Sequence, residues 1–397
     1  LLQGDVGSGK TIVALLAALN VIKSGFQVAI MAPTEILARQ HYTLAKEIFD
    51  KNINIEILSS KTEYKDKKSI IKELSHNQIS LIFGTHAIFQ KKILFKNLGL
   101  IIIDEQHKFG VNQRKKLSDK GGDNCDVLLM SATPIPRTLT MTIYGDMDIS
   151  IIREKPKSRK EVKTYSKVEN KVDEVLRFIS KEMDNDNQIF WVCPLIEESK
   201  KLDHASAVQK FRFLNKKFPD QVALLHGKTD INEKEIILNN FLKKKFKILV
   251  STTIIEVGID FPNANVIVIE NANKFGLSQL HQLRGRVGRG QKQSTCILMF
   301  KSSLTENAKK RLNILKKSTD GFRISEEDMM LRGYGDILGF KQSGVKIFRL
   351  ADPVHNNDLF ELAEKEIKLM ETTSENISKY KTLMKLYDQA DIINDIV

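Results

Sequence analysis

The chain has 397 residues, 42% hydrophobic and 28% charged, the make-up of a globular protein too long for one compact core. Lys and Arg number 62 against 49 Asp and Glu, a net charge of +13, which favours a polyanionic partner; a Lys-rich composition overall is the plainer reading of the same numbers. The cysteines, Cys125, Cys193 and Cys296, lie far apart and form no CxxC pair, which argues against zinc and a disulfide framework and fits a reducing, cytoplasmic setting. No apolar run approaches the ~18 residues of a membrane span, so no membrane partner is expected.

Leu1-Leu2-Gln3 runs directly into a glycine-rich loop with no initiator Met, so the chain reads as a fragment lacking most of the strand behind that loop. Predicted strands follow at Gln27–Ala32, Ile79–Phe83, Leu98–Ile103 and Val127–Met130, with helices over Ile12–Ser24 and Glu35–Lys51. This βαβ rhythm implies a parallel sheet covered on both faces. Glu154–Lys163 carries seven charges and Pro156 and reads as a connector or edge. The rhythm restarts at Gln188–Val192, Val222–Leu225, Lys247–Ser251, Val266–Ile269 and Thr295–Phe300. A basic helix at Thr305–Ser318, a Gly-rich segment and a helical tail complete the chain, the tail carrying an apolar face of Leu359, Leu362, Ala363, Ile367 and Met370. The expected architecture is α/β: two tandem parallel-sheet domains at 1–153 and 154–301, then a mostly helical region at 302–397.

Gly4-Asp5-Val6-Gly7-Ser8-Gly9-Lys10-Thr11 fits GxxxxGK[ST]. Glycines let backbone N–H groups turn toward phosphate oxygens, and the helix that follows aims its positive end at the same anion. Lys10 is placed for the β/γ-phosphates of ATP and Thr11 for Mg²⁺. The apolar run Leu100–Ile103 ends in Asp104-Glu105-Gln106-His107. Behind such a loop, Asp104 is the metal candidate and Glu105 the group to orient and deprotonate a water. Gln282-Leu283-Arg284-Gly285-Arg286-Val287-Gly288-Arg289-Gly290 is poor material for a core. It suits either an arginine finger or a direct contact to nucleic-acid phosphate.

Taken in order, these segments resemble motifs I, II and VI of superfamily 2 helicases. Ala32-Pro33-Thr34-Glu35 with Ala38-Arg39-Gln40, Gly84-Thr85-His86, Ser131-Ala132-Thr133, and Thr252-Thr253 through Glu256, Gly258 and Asp260 resemble the intervening motifs. Several stretches are similar to the RecG branched-DNA helicases in particular. They are Asp104–His107 running on to Phe109-Gly110-Val111, Thr133–Thr138, Trp191–Glu198 and Gln279–Gly290; Lys309–Gly344 resembles the translocation motif that RecG shares with the transcription-repair coupling factor. The resemblance covers residues 1 to about 355 and implies two RecA-like domains with a translocation module. It implies nucleotide contacts from Gly4, Asp5, Gly7, Ser8, Gly9, Lys10, Thr11, Gly258 and Asp260, and finger roles for Arg286 and Arg289. It further implies DNA contact or coupling roles for Thr34, Arg39, Thr85, Gln106, His107, Ser131, Thr133, Thr252, Gln282, Arg311 and Gln342. Tyr334 stands where the family often has a small residue or proline.

The implied activity is ATP-dependent translocation on branched duplex DNA, in repair and recombination, by a monomer whose parent protein carries an N-terminal wedge domain. Two alternatives stay open: a DNA-binding remnant without turnover, and a translocase like the coupling factor. For Thr34 and Ser131 the plain alternative is a helix cap or turn hydroxyl.

Overall fold

A computed structural model describes residues 1–59, 62–90, 92–105, 125–132, 147–154, 156, 160–194, 200–227, 229–252, 261–288, 290, 292–332 and 357–370. The first unit comprises β1 (Leu2–Gly4), α1 (Lys10–Lys23), β2 (Gln27–Met31), α2 (Glu35–Ile48), β3 (Ile55–Leu58), α3 (Tyr64–Ser75), β4 (Leu81–Gly84), β5 (Leu98–Ile103), β6 (Asp126–Ser131) and β7 (Ser150–Ile152). Its strands form a seven-stranded sheet in the order β3-β4-β2-β5-β6-β1-β7, with every described pairing parallel.

The second unit comprises β8 (Lys163–Val168), α4 (Val172–Asp184), β9 (Gln188–Val192), α5 (Lys200–Lys217), β10 (Val222–Leu225), α6 (Ile231–Leu242), β11 (Ile248–Ser251), β12 (Ala264–Ile269), α7 (Leu277–Arg284) and β13 (Thr295–Phe300). Its six strands run β10-β11-β9-β12-β13-β8, again parallel. The helices α8 (Glu306–Lys317), α9 (Gly321–Arg332) and α10 (Asn357–Met370) follow.

The central strands are largely apolar because helices cover both faces of each sheet. Leu98–Ile103, Gln188–Val192 and Ala264–Ile269 are buried at every position. Each sheet accordingly divides its core into two clusters, one per face: Ile101 and Ile103 belong to one and Leu100 and Ile102 to the other in the first unit. In the second, Phe190 and Val192 oppose Ile189 and Trp191. The amphipathic helix α4 supplies Val175, Leu176, Ile179 and Met183, the 3.6-residue stripe expected of a helix lying on a sheet.

The strands that composition did not reveal sit at the margins. Lys163–Val168 alternates exposed and half-buried residues and lies at the sheet edge, where water can solvate one side. It begins where the charged connector was expected to end. Ile55–Leu58 and Ser150–Ile152 are likewise edge strands. The helical tail is present, but Leu359 and Leu362 of its apolar face are 47% and 55% exposed.

The strand behind the glycine-rich loop is short, as expected, yet it pairs on both sides. Leu2 lies in register with Met130 and Ser150, Gln3 with Ser131 and Ile151, and Gly4 with Ile152. No β1 residue lies opposite the start of β6, and Val127 there is 39% exposed.

Two buried glutamines hold the amino-terminal ends of the sheets. Gln27 donates to the carbonyls of Leu74 and Ile79 and accepts from the N–H groups of Lys96 and Asn97. Gln188, at the matching place in the second sheet, donates to the carbonyls of Phe241 and Phe246. In each case the buried amide bonds backbone groups where a helix ends and the chain returns to the sheet.

Packing is close at Gly84, the last residue of β4. A Cβ there would lie 2.6 Å from the Leu58 carbonyl oxygen and 2.6 Å from Ile88 Cγ2. Backbone of the neighbouring strand cannot retreat without breaking the ladder. Gly84→Ala is expected to destabilise the first unit by about 1–3 kcal/mol. Urea unfolding of the chain, followed for its first transition, checks this; an unchanged midpoint would show that the close approach relaxes freely.

Candidate nucleotide site and interdomain contact

In a parallel sheet all strands end on the same side, and β1, β2, β5 and β6 deliver Gly4, Met31, Ile103 and Ser131 to one edge. The candidate residues lie in the turns just beyond.

The glycine-rich loop leaves β1 and closes on α1. Gly7 and Gly9 take φ values of 74° and 93°, a left-handed conformation that side chains disfavour. Gly9 is the N-cap of α1, so the helix begins at Lys10 with its amide groups facing the loop. Asp5 O accepts from Ser8 N at 3.1 Å. Lys10 is 8% exposed, and its Nζ donates to the carbonyls of Gly4 at 2.7 Å and Asp5 at 2.9 Å. Ser8 Oγ is buried in the same turn with no hydrogen-bond partner among the described residues. The loop is thus a concave set of donors, its ammonium resting on its own backbone.

Asp104 and Glu105 follow β5 and are both 9% exposed. Asp104 N–H donates to Met31 O, tying the acid to β2. Asp104 Oδ2 lies 2.9 Å from His41 Nε2, and its Oδ1 accepts from Glu105 N–H at 2.9 Å. Burial, the strongest single influence, works to raise this carboxyl. The His41 hydrogen bond and charge, the Lys10 ammonium and the Glu105 N–H outweigh it and hold the group below the usual carboxylate range. The influence of Lys10 on Asp104 places loop and acid in one electrostatic site. Glu105 has φ 53°, a left-handed conformation costing a non-glycine residue roughly 1–3 kcal/mol. Such strain, held by surrounding structure, is common where a side chain must be aimed.

His41 was not foreseen as a site residue. It lies on the buried stripe of α2 with Leu37, Ala38 and Ala45. A lone histidine on an apolar helix face carries no sequence signal for a partner 63 positions away.

The remaining predicted positions divide. Thr34 is the N-cap of α2, its Oγ1 accepting from Leu37 N at 3.4 Å, so its hydroxyl does the work of a helix cap. Arg39 is 56% exposed, with Glu35 at 3.7 Å. Thr85 follows β4 and is half-buried. Ser131 is buried at the end of β6 beside Gln3, between the acid strand and the loop strand. Thr252 follows β11, is 2% exposed, and its Oγ1 has no hydrogen-bond partner among the described residues. Gln282 is half-buried on α7, and Arg286 is 3% exposed just beyond it. Arg311, on α8, donates to the carbonyls of Phe275 at 2.9 Å and Asn273 at 3.2 Å, gripping the turn that precedes α7. Gln106, His107, Thr133, Gly258, Asp260, Arg289 and Gln342 lie outside the described residues.

The arginine-rich segment meets the loop through His281, which the sequence reading did not single out, and contrary to expectation the segment is core material, with Leu283, Arg284 and Val287 buried. His281 Nε2 lies 2.6 Å from Asp5 Oδ1, with both side chains buried. Arg284 donates to His281 Nδ1 at 2.9 Å and to the carbonyls of Leu315 and Ser318 at 2.6 and 2.8 Å. Arg284 is therefore a structural residue rather than a free basic group. Burial draws its guanidinium below the ordinary value, while Cys296, Asp5 and Glu161 oppose the shift. A small cleft lined by Asp5, Val6, Glu161, His281 and Gly285 marks this junction.

Comparison with known proteins follows the same division of the chain. The DEAD/DEAH box helicase profile matches residues 1–142 and the helicase conserved C-terminal domain matches residues 170–291. The ATP-dependent DNA helicase RecG of Aquifex aeolicus (strain VF5) is 49% identical over 97% of this chain and 50% of its own length. That of Bacillus subtilis (strain 168) is 48% identical over 92% of this chain and 54% of its own length. A solved structure of RecG bound to a three-way DNA junction superposes with a TM-score of 0.75 at 44% identity, covering 91% of this chain and 47% of that one. Yeast Dbp5 bound to RNA and ADP BeF3, at 19% identity and a TM-score of 0.59, shares the fold. The chain spans about half the length of the curated relatives it matches. With two parallel-sheet domains, an intact phosphate loop and an acid-ended strand in the matching order, the chain belongs to the RecG family of superfamily 2 helicases and corresponds to its motor region.

Proposed function

We propose that the chain is an ATP-driven DNA motor that translocates on duplex DNA and remodels branched substrates. One observation carries this reading: the phosphate loop and the acid strand end share one site, and the arginine-bearing α7 of the second domain touches that loop. A nucleotide bound there lies where domain movement and hydrolysis can be linked. The related proteins named ATP-dependent DNA helicase RecG, and the RecG structure bound to a three-way junction, support branched DNA as the substrate. The net charge of +13 supports a nucleic-acid partner. A bacterial cytoplasmic setting and a monomeric state accord with this reading.

Lys10 now rests on the Gly4 and Asp5 carbonyls, and the β/γ-phosphates of ATP would draw it away. Gly4, Asp5, Gly7, Ser8 and Gly9 shape the loop, and Gly258 and Asp260 are proposed to complete the nucleotide contacts. The site suits Mg²⁺: Thr11 and Asp104 offer hard oxygen donors, and Asp104 is held ionised. When bound, the ion would neutralise phosphate charge. Glu105, aimed by its left-handed backbone, is proposed to orient and deprotonate water. Arg286 and Arg289 are proposed to face the γ-phosphate. Thr34, Arg39, Thr85 and Thr252 are proposed to meet the DNA backbone. Gln106, His107, Ser131, Thr133 and Gln282 are proposed to link nucleotide state to domain movement.

Three measurements test this. Lys10→Ala abolishes ATP turnover, and Glu105→Gln keeps nucleotide binding while lowering hydrolysis by ~10²–10⁴-fold. Steady-state rates and nucleotide titration decide it, and near-normal hydrolysis in Glu105→Gln removes that residue from the mechanism.

Arg311 grips the turn before α7 rather than the nucleotide site. Arg311→Ala and Gln342→Ala should therefore keep DNA-stimulated ATPase and lose junction movement, because a lever can fail without disturbing the chemistry. A parallel fall in both would assign these residues to folding or nucleotide binding.

Binding of this chain to DNA should weaken steeply with salt, since phosphate contacts dominate. It should also discriminate little between fork and linear duplex, whereas a full-length relative at matched salt should prefer the fork. Strong fork preference by this chain alone would show that the motor itself reads the branch, and DNA binding without turnover would favour the remnant reading.

A further inference from the structure

Two phosphate-loop residues, Asp5 and Val6, are occupied by contacts from outside the first domain. His281 reaches Asp5 from α7. Arg284 carries donors only, so the 2.9 Å contact requires His281 Nδ1 to accept. The proton of the neutral ring then sits on Nε2, which donates to Asp5 Oδ1 at 2.6 Å. The same Oδ1 accepts from Val6 N–H at 2.7 Å. At the other end, Arg284 holds the carbonyls of Leu315 and Ser318, where α8 ends. A continuous hydrogen-bonded path thus runs from the end of α8 through Arg284 and His281 into the backbone of the loop.

The packing around the path has no slack. Gly321 is the first residue of α9, and a Cβ there would lie 2.8 Å from Asp5 Oδ1 and 2.8 Å from His281 Nε2. A Cβ on Gly285 would lie 2.9 Å from the Val6 side chain. The helical region and the second domain both approach the loop at glycines, around the Asp5–His281 contact. Asp5 O also accepts from Lys10 Nζ, so displacement of Asp5 is felt at the phosphate-binding lysine.

We propose that His281 is a positioning residue: it sets the backbone of the phosphate loop from the second domain and transmits the placement of α8 and α9 to Lys10. The proposal rests on the nucleotide-site reading of the loop, but the contact itself can be read without nucleotide.

The test uses the full chain with His281→Ala, His281→Gln, Asp5→Ala and the His281→Ala/Asp5→Ala double variant, each confirmed folded by its thermal melt. Glutamine places an acceptor and a donor about as far apart as the two ring nitrogens, so it can keep both bonds. Hydrogen exchange of the loop amides is measured without nucleotide. Loss of a hydrogen bond to a buried charge should speed exchange at Val6 roughly tenfold in His281→Ala, with the Gln variant near the parent. DNA-stimulated kcat should fall roughly tenfold in His281→Ala, while KM for ATP stays within about twofold and Gln restores the rate. The double variant should be no worse than the poorer single one, since both remove one interaction. Unchanged Val6 exchange, a Gln variant as impaired as Ala, or additive losses would overturn the proposal. Faster exchange in a chain whose parent binds no ATP would support the positioning contact and overturn the nucleotide-site reading instead.

Discussion

A buried hydrogen bond between Asp5 and His281 joins two sheet domains, beside apolar contacts in which Ile36 packs on the second core and Val6 meets Gly285. Its strength comes from its surroundings. Both side chains are withdrawn from water, so loss of either would leave a buried polar group short of a hydrogen bond. Arg284 removes the tautomeric choice at His281, and the carbonyls closing α8 fix Arg284 in turn. The geometry of the phosphate loop is thereby a property of both domains rather than of its own turn alone.

The rest of the site follows from strand direction. Parallel pairing sends the ends of β1, β6, β5 and β2 to one edge, so a loop, a serine, an acid and a capped helix stand side by side. The strands can be largely apolar because the candidate polar residues lie beyond these ends, with Gln27 and Gln188 at the opposite ones. Such placement is costly unless each polar group is met. Asp104 is met by His41 and the Glu105 N–H, and Lys10 by two loop carbonyls. These internal partners keep the site ordered, and they are the bonds that an incoming phosphate and its counter-ion would replace.

The helical region shares no sheet strand with the second domain but packs into its core, where Leu312, Leu315 and Ile324 are buried, and side-chain hydrogen bonds pin it further. Arg311 grips the turn at Asn273 and Phe275, Arg284 holds the end of α8, and Ser278 Oγ donates to Asp328 at 2.6 Å. All three bear on α7 or the turn leading into it. A helix clamped in this way is held in place relative to its neighbours by both domains' contacts and by the helical region.

Much of this was legible in the residues themselves. The phosphate loop, the apolar run ending in Asp104-Glu105 and the strands at Leu98–Ile103, Gln188–Val192, Val222–Leu225 and Thr295–Phe300 carry local signals: glycine spacing, β-branched runs and abrupt polarity at a strand end. The edge strands at Ile55–Leu58, Ser150–Ile152 and Lys163–Val168 were not legible, because a strand solvated along one side needs no continuous apolar run. Nor were the positioning residues. His41, His281 and Arg284 look like a core histidine, a helix histidine and one more basic residue, and their meaning lies in partners 63, 276 and 31 positions away. The sequence by itself determined the glycine-rich turn at the start of a helix and the acids at a strand end, since these depend on residue type and short spacing. Only the tertiary structure decided which residues hold those groups in place, because a buried polar side chain must find its partner in space, and that partner is chosen by strand order and domain contact rather than by sequence distance.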